Sequence, residues 1–162
     1  MGRKSTLLAA GIGLFALVAS ACSIDIERNA DGSLQVDAVV SEASLAAELE
    51  RDQHNESVVV DIQDGYIAVD VDHIDPRDGR HDVAFRADVA AVDGGLEVVV
   101  SDATYDGFTI PESFVADWNA ELAEALERAS RRHPDASLVS VTTGSDELAM
   151  QWRIETPESK GS

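Results

Sequence analysis

The 162-residue sequence predicts an α+β fold, and two patterns carry that expectation. Segments in which apolar and polar residues alternate recur in pairs, most of them joined by turns rich in Gly, Asp or Asn, the signature of antiparallel hairpins. Two segments with apolar residues at helical spacing, residues 41–53 and 111–132, stand between the hairpins rather than between successive strands. The expected architecture is a twisted antiparallel sheet of hairpins packed on one face by two helices.

Residues 23–28 and 33–40 form the first expected hairpin. Ile24 and Ile26 alternate with Asp25 and Glu27, Leu34, Val36 and Ala38 alternate with Gln35 and Asp37, and Asn29-Ala30-Asp31-Gly32 supplies the turn. A disordered tether over residues 23–31 is the alternative. Ser41 is a natural N-cap for a helix reaching about residue 53, with Glu42 in the first turn and Leu45 and Leu49 one turn apart. Residues 57–63 and 66–74 make the second hairpin, turning at Asp64-Gly65, with Val58, Val60, Ile62, Ile67, Val69 and Val71 facing the core. Residues 75–82 read as a charged loop broken by Pro76 and Gly79.

A third hairpin joins residues 83–92 and 96–105 through Asp93-Gly94-Gly95. Pro111 suits the first turn of a long helix that ends before Pro134. Phe114, Val115, Trp118, Leu122, Ala125, Leu126 and Ala129 give that helix one apolar stripe, expected to face the sheet side that presents Trp152. Residues 136–143 and 147–155 form the last hairpin, in which Leu148, Met150, Trp152 and Ile154 alternate with Ala149, Gln151 and Arg153. Residues 157–162 read as a disordered tail. The order hairpin, helix, hairpin occurs twice, with Ser41-Glu42 placed as Pro111-Glu112 is. A duplicated ββαββ unit is one reading and chance alternation the other.

The N-terminal 21 residues read as a signal peptide. Arg3 and Lys4 precede an apolar run over residues 7–18, and Ala19-Ser20-Ala21 then meets Cys22, the chain's one cysteine. Twelve residues of helix span about 18 Å against ~30 Å of hydrocarbon, too short for a transmembrane segment. Ala19-Ser20-Ala21-Cys22 resembles the lipobox of bacterial lipoproteins, although Ala19 stands where that family usually has Leu. The resemblance implies cleavage before Cys22, a diacylglycerol on its sulfur and an acyl group such as palmitate on the new amine. Ala-Ser-Ala is also an ordinary signal peptidase site, which would give a secreted protein, and an uncleaved anchor is a third reading. A lone cysteine has no internal disulfide partner, and a free thiol is out of place in an oxidising compartment, so Cys22 is expected to be lipidated.

The chain holds 12 Lys+Arg against 31 Asp+Glu, a formal charge of −19. Removing Arg3 and Lys4 leaves ten cations against the same 31 acids, a charge of −21 on the part from Cys22 onward. Such a surface repels phosphate backbones and anionic headgroups, which excludes nucleic acid as an expected partner. Residues 22–156 suffice for one core-bearing domain.

In its order of features the mature part resembles the YpmS-like membrane-anchored extracellular proteins. The matching pieces are Ser41-Glu42 leading to Leu45, Asp64-Gly65-Tyr66-Ile67, Gly94-Gly95-Leu96-Glu97-Val98, and Ile110-Pro111 opening the long helix. That resemblance implies an anchored extracytoplasmic domain in the cell envelope.

Chemistry-bearing motifs are sparse. Asp70, Asp72, Asp75 and Asp78 with Gly79 suggest a calcium loop, but counting from Asp70 puts Asp75 at the position that requires Gly and His81 at the position that requires Glu. His73 and His81 lack the spacing of a zinc site, so no metal and no cofactor is expected. The expected role is therefore non-enzymatic: a membrane-tethered binding or interaction domain, reached through a lipid on Cys22. An apolar or lipid-like ligand lined by Phe114, Trp118, Leu122, Met150 and Trp152 is one form of it, and simple core packing of those side chains is the rival. The alternative class is a hydrolase of envelope components using carboxylates such as Asp70 and Asp72.

Overall fold

The computed structural model describes residues 23–51 and 53–161. Residues 1–22 lie outside the described residues, as does every expectation attached to them. The fold is α+β, and the described residues form nine strands in two antiparallel sheets and three helices. In chain order these are β1 (Ser23–Arg28), β2 (Leu34–Ser41), α1 (Glu42–Glu50), β3 (Asn55–Gln63), β4 (Tyr66–Asp75), β5 (Gly79–Val92), β6 (Gly95–Tyr105), β7 (Phe108–Thr109), α2 (Glu112–Arg131), β8 (Ala136–Thr143), β9 (Glu147–Ile154) and α3 (Pro157–Lys160).

The expected hairpins all form, but they divide between two sheets. One sheet has the order β1-β2-β9-β8 and the other β3-β4-β5-β6-β7. The helices cause the division: α1 carries the chain from the first sheet to the second, and α2 returns it so that β9 pairs with β2. The opening hairpin of the first half joins the rest of its sheet through its second strand, β2, which pairs with β9, whereas that of the second half joins through its first strand, β5, which pairs with β4. The two halves thus join their sheets differently, and duplication rests on element order alone.

The inner faces of both sheets meet in one core, which includes Val36 and Val40 of β2, Ile62 of β3, Ile67 of β4, Val98 of β6, and Leu148, Met150 and Trp152 of β9. The sheets also touch at their margins. Leu138 N–H of β8 donates to Gly94 O in the β5–β6 turn (2.8 Å), and Gly65 N–H in the β3–β4 turn donates to Thr143 Oγ1 at the far end of β8 (2.7 Å). β8 therefore runs across the hairpin ends of the other sheet. Asp93 and Gly94 turn with φ of 51° and 76°, the left-handed pair that a two-residue primed turn requires.

α1 and α2 each lie along a flank of the five-stranded sheet, beside β3 and β6 respectively, rather than on one face of a single sheet. α1 is N-capped by Ser41, whose hydroxyl accepts from Ser44 N–H (3.2 Å), and it ends at Glu50, short of residue 53, where Asn55 Nδ2 donates to Leu49 O (2.9 Å). Glu42 Oε1 accepts from Ile62 N–H (2.9 Å) and Glu50 Oε1 from Val58 N–H (3.4 Å). Eight residues of helix advance about 12 Å and four of strand about 13 Å, so the two carboxylates meet two outward amides of β3. On the other flank Asn119 of α2 accepts from Val100 N–H (2.7 Å) and donates to Val100 O (2.9 Å), taking a strand's place beside β6 where β7 does not reach.

Two expectations are corrected. The charged loop over residues 75–82 is a short turn, because Asp75 pairs with Gly79 and β5 starts there; cross-strand pairing overrides the polarity of Arg80, His81 and Asp82. Residues 157–160 of the expected disordered tail form α3 instead. Thr156 and Ser159 satisfy each other's backbone in a capping box, and Arg28 and Asp135 pair with Glu158 and Lys160.

Candidate functional site

The five residues expected to line an apolar site do not share one surface. Leu122, Met150 and Trp152 are buried in the common core. Trp118 is half-buried and Phe114 is 55% exposed near the start of α2. α2 packs chiefly along β6, while Met150 and Trp152 belong to β9 in the other sheet. Three of these side chains thus serve packing, and Phe114 stands on the outside with Phe108, which is 79% exposed in β7.

The carboxylates gather on the outer face of the five-stranded sheet. Alternation along β4 turns Val69 and Val71 inward and Asp70 and Asp72 outward. The β4–β5 register sets Asp70 opposite Ala84 and Asp72 opposite Asp82, so Asp70 and Asp82 are diagonal neighbours on one face. A hydrogen bond between them raises the Asp70 carboxyl to about 6, with burial and the charges of Asp82 and Asp72 adding to it. The partner of Asp70 is therefore Asp82 from the next strand, whereas Asp72 contributes only charge. Sequence spacing did not single out Asp82, because only the hairpin register brings residues 70 and 82 together.

Around Asp70 lies a shallow, open depression of about 250 Å³. Val59, Ala68 and Ala84 give it an apolar floor, and Asp61, Asp70, Arg86 and Asp102 bring charge. Asp102 reaches this face through a β-bulge: the β5–β6 register slips between Ala84 and Arg86, leaving Asp102 at φ 51°. Arg86 lies 4.0 Å over the Tyr66 ring and 3.2 Å from Asp88. The depression therefore combines one cation held from behind with several carboxylates, one of which keeps its proton into mildly acidic solution.

Three of the four histidines lie near the end of the sheet, with His73 and His81 on its inner side. His73 and His81 are direct cross-strand partners, and His54 lies 6.0 Å from His73. His73 Nδ1 is 3.3 Å from Asn55 Oδ1; His81 Nδ1 is 2.8 Å from Asp106 Oδ2, and its ring stacks on Tyr105 at 4.8 Å. The His81 contact holds the Asp106 carboxyl below its usual range. Among the described residues no group of three or more His, Cys, Asp or Glu side chains is placed to hold a metal ion, and no helix is long and apolar enough to cross a membrane. Comparison of the chain with protein-family models, with curated proteins and with solved structures found no match.

Proposed function

We propose that this chain is a lipoprotein of the cell envelope, held to the extracytoplasmic face of a membrane through Cys22, and that its folded part is a non-enzymatic interaction domain. The observation that carries this reading is the position of β1. The strand starts at Ser23, the residue after Cys22, and all six of its residues are exposed at the edge of the four-stranded sheet. One residue of extended chain spans about 3.5 Å, so an acyl anchor at Cys22 would hold the Ser23 end of that strand close to the bilayer surface. Two acyl chains or more anchor stably, since each buried CH₂ contributes ~0.8 kcal/mol. The acidic composition supports a protein partner in place of nucleic acid or anionic lipid.

Mass spectrometry of the mature N-terminus tests the anchor. The expected product begins at Cys22 with diacylglycerol and acyl mass, and Cys22→Ser moves the protein out of the membrane fraction. A mature chain that starts at an unmodified Cys22 refutes it.

A second reading is favoured by one observation, the Asp70–Asp82 pair with its raised carboxyl. A glycan hydrolase needs one acid protonated near working pH and a second ionised nearby. Incubation with purified envelope polymers decides it. Release of reducing ends that Asp70→Asn abolishes would establish hydrolysis; undiminished release from the variant would reject it.

A further inference from the structure

The lateral margins of the two sheets are treated differently. β3 is covered by the α1 carboxylates, β6 by Asn119 and β7, and β8 meets the turns of the other sheet at both ends. Among the described residues β1 has no such cover. Asn29 N–H donates to Ser33 O at the foot of the β1–β2 hairpin, and alternation from that pair sends the amides and carbonyls of Ile24, Ile26 and Arg28 away from β2. Among the described residues no side chain or turn bonds to these outward groups.

The two faces beside this edge differ. Ile24 and Ile26 pair across to Ala38 and Val36, the β2 residues that enter the core, yet they are 47% and 60% exposed. The apolar inner face therefore continues beyond the last covered strand. On the opposite face stand Asp25 and Glu27, with Asp25 directly across from Asp37. Asp37 is held ionised by the Gln35 and Gln151 amides rather than by a cation.

We infer that β1 is a docking edge for an extended segment of a partner protein, in which apolar side chains alternate with basic ones. The segment adds a fifth strand to the sheet, its backbone bonding to Ile24, Ile26 and Arg28. Its apolar side chains extend the inner face past Ile24 and Ile26, and its basic side chains meet Asp25, Glu27 and Asp37. A second copy of this chain is a poor occupant, because β1 laid on β1 sets acidic residues against acidic residues. A bilayer offers no backbone partners, and anionic headgroups repel the same carboxylates. This inference rests on the reading of the domain as an interaction module, but not on the lipid at Cys22.

The test measures amide hydrogen exchange by NMR on the whole chain in non-ionic detergent micelles. The probe is a synthetic peptide of alternating Val and Lys. The expected result is exchange slowed about tenfold or more at Ile24, Ile26 and Arg28. Two control peptides, one N-methylated at alternate residues and one with the Lys and Val in separate blocks, leave exchange unchanged. In the double variant Asp25→Lys, Glu27→Lys the preference passes to a peptide of alternating Val and Glu. Several results overturn the proposal: no protection at the three amides, equal binding of the N-methylated peptide, protection that rises with protein concentration alone, or protection by phosphatidylcholine vesicles without peptide. The mass of the mature N-terminus is measured separately, so loss of the anchor and loss of the docking edge are distinguishable.

Discussion

Asp70 illustrates how a residue acquires chemistry from its neighbours. Its carboxyl sits at about 6 in the folded chain against 3.8 when free, chiefly through the hydrogen bond with Asp82. The folded state therefore binds more protons than the unfolded state between those two values, so this group's contribution to stability is present at low pH and lost as pH rises from about 4 to about 6. Denaturant titrations of Asp70→Asn across that window should show a flatter pH dependence than the parent and a higher midpoint above pH 6. An unchanged slope would mean that the pair does not share a proton. The opposite sign holds for Asp31, whose carboxyl is held low first by the Ser33 hydroxyl, and for Asp106, held low by His81. Their contributions are present above about 4 and lost as pH falls. Asp70 was legible as an outward residue of an alternating strand; its proton was not, because that depends on a diagonal neighbour twelve residues away.

At the scale of elements, the helices act as covers for strand edges. Glu42 was legible in the sequence as an acid in a first turn, favourable to the helix dipole. Its contact with Ile62 N–H adds a second task that no local pattern encodes. Asn119 carried no signal at all, since a lone Asn in the interior of an amphipathic helix reads as a surface residue. Replacing Asn119 by Ala leaves both backbone groups of Val100 without their side-chain partner, at a cost of about 1–3 kcal/mol. Native-state hydrogen exchange should show the Val100 amide speeding up more than those of Val98 or Leu96. A uniform change across β6 would point to general loosening instead. Such covers also explain why β1 stands out, since an unprotected edge is a template for another strand.

For the whole molecule, 31 acids against 12 cations make self-repulsion the dominant long-range term. The ion pairs offset little of it, because most join side chains that are more than a third exposed, such as Glu127–Arg131 and Arg86–Asp88. Raising salt from about 0.05 M to about 1 M shortens the screening length from over 10 Å to about 3 Å. The thermal midpoint should therefore rise across that range in sodium chloride. A flat or falling midpoint would show that the acids are already compensated.

The sequence by itself determined the α+β class, the positions of the four hairpins and two long helices, and most inward-facing residues. Those features follow from periodicities of two and 3.6 and from turn chemistry, which act over a few neighbouring residues. The tertiary structure alone decided that the hairpins form two sheets, that α2 lies along β6 with Met150 and Trp152 committed to the core, that Asp70 meets Asp82, and that no other described element covers β1. Each of these depends on which hairpin packs on which and in what register. Similar alternating strands pair almost equally well with several partners, and the choice falls to whichever arrangement buries all the inner faces together.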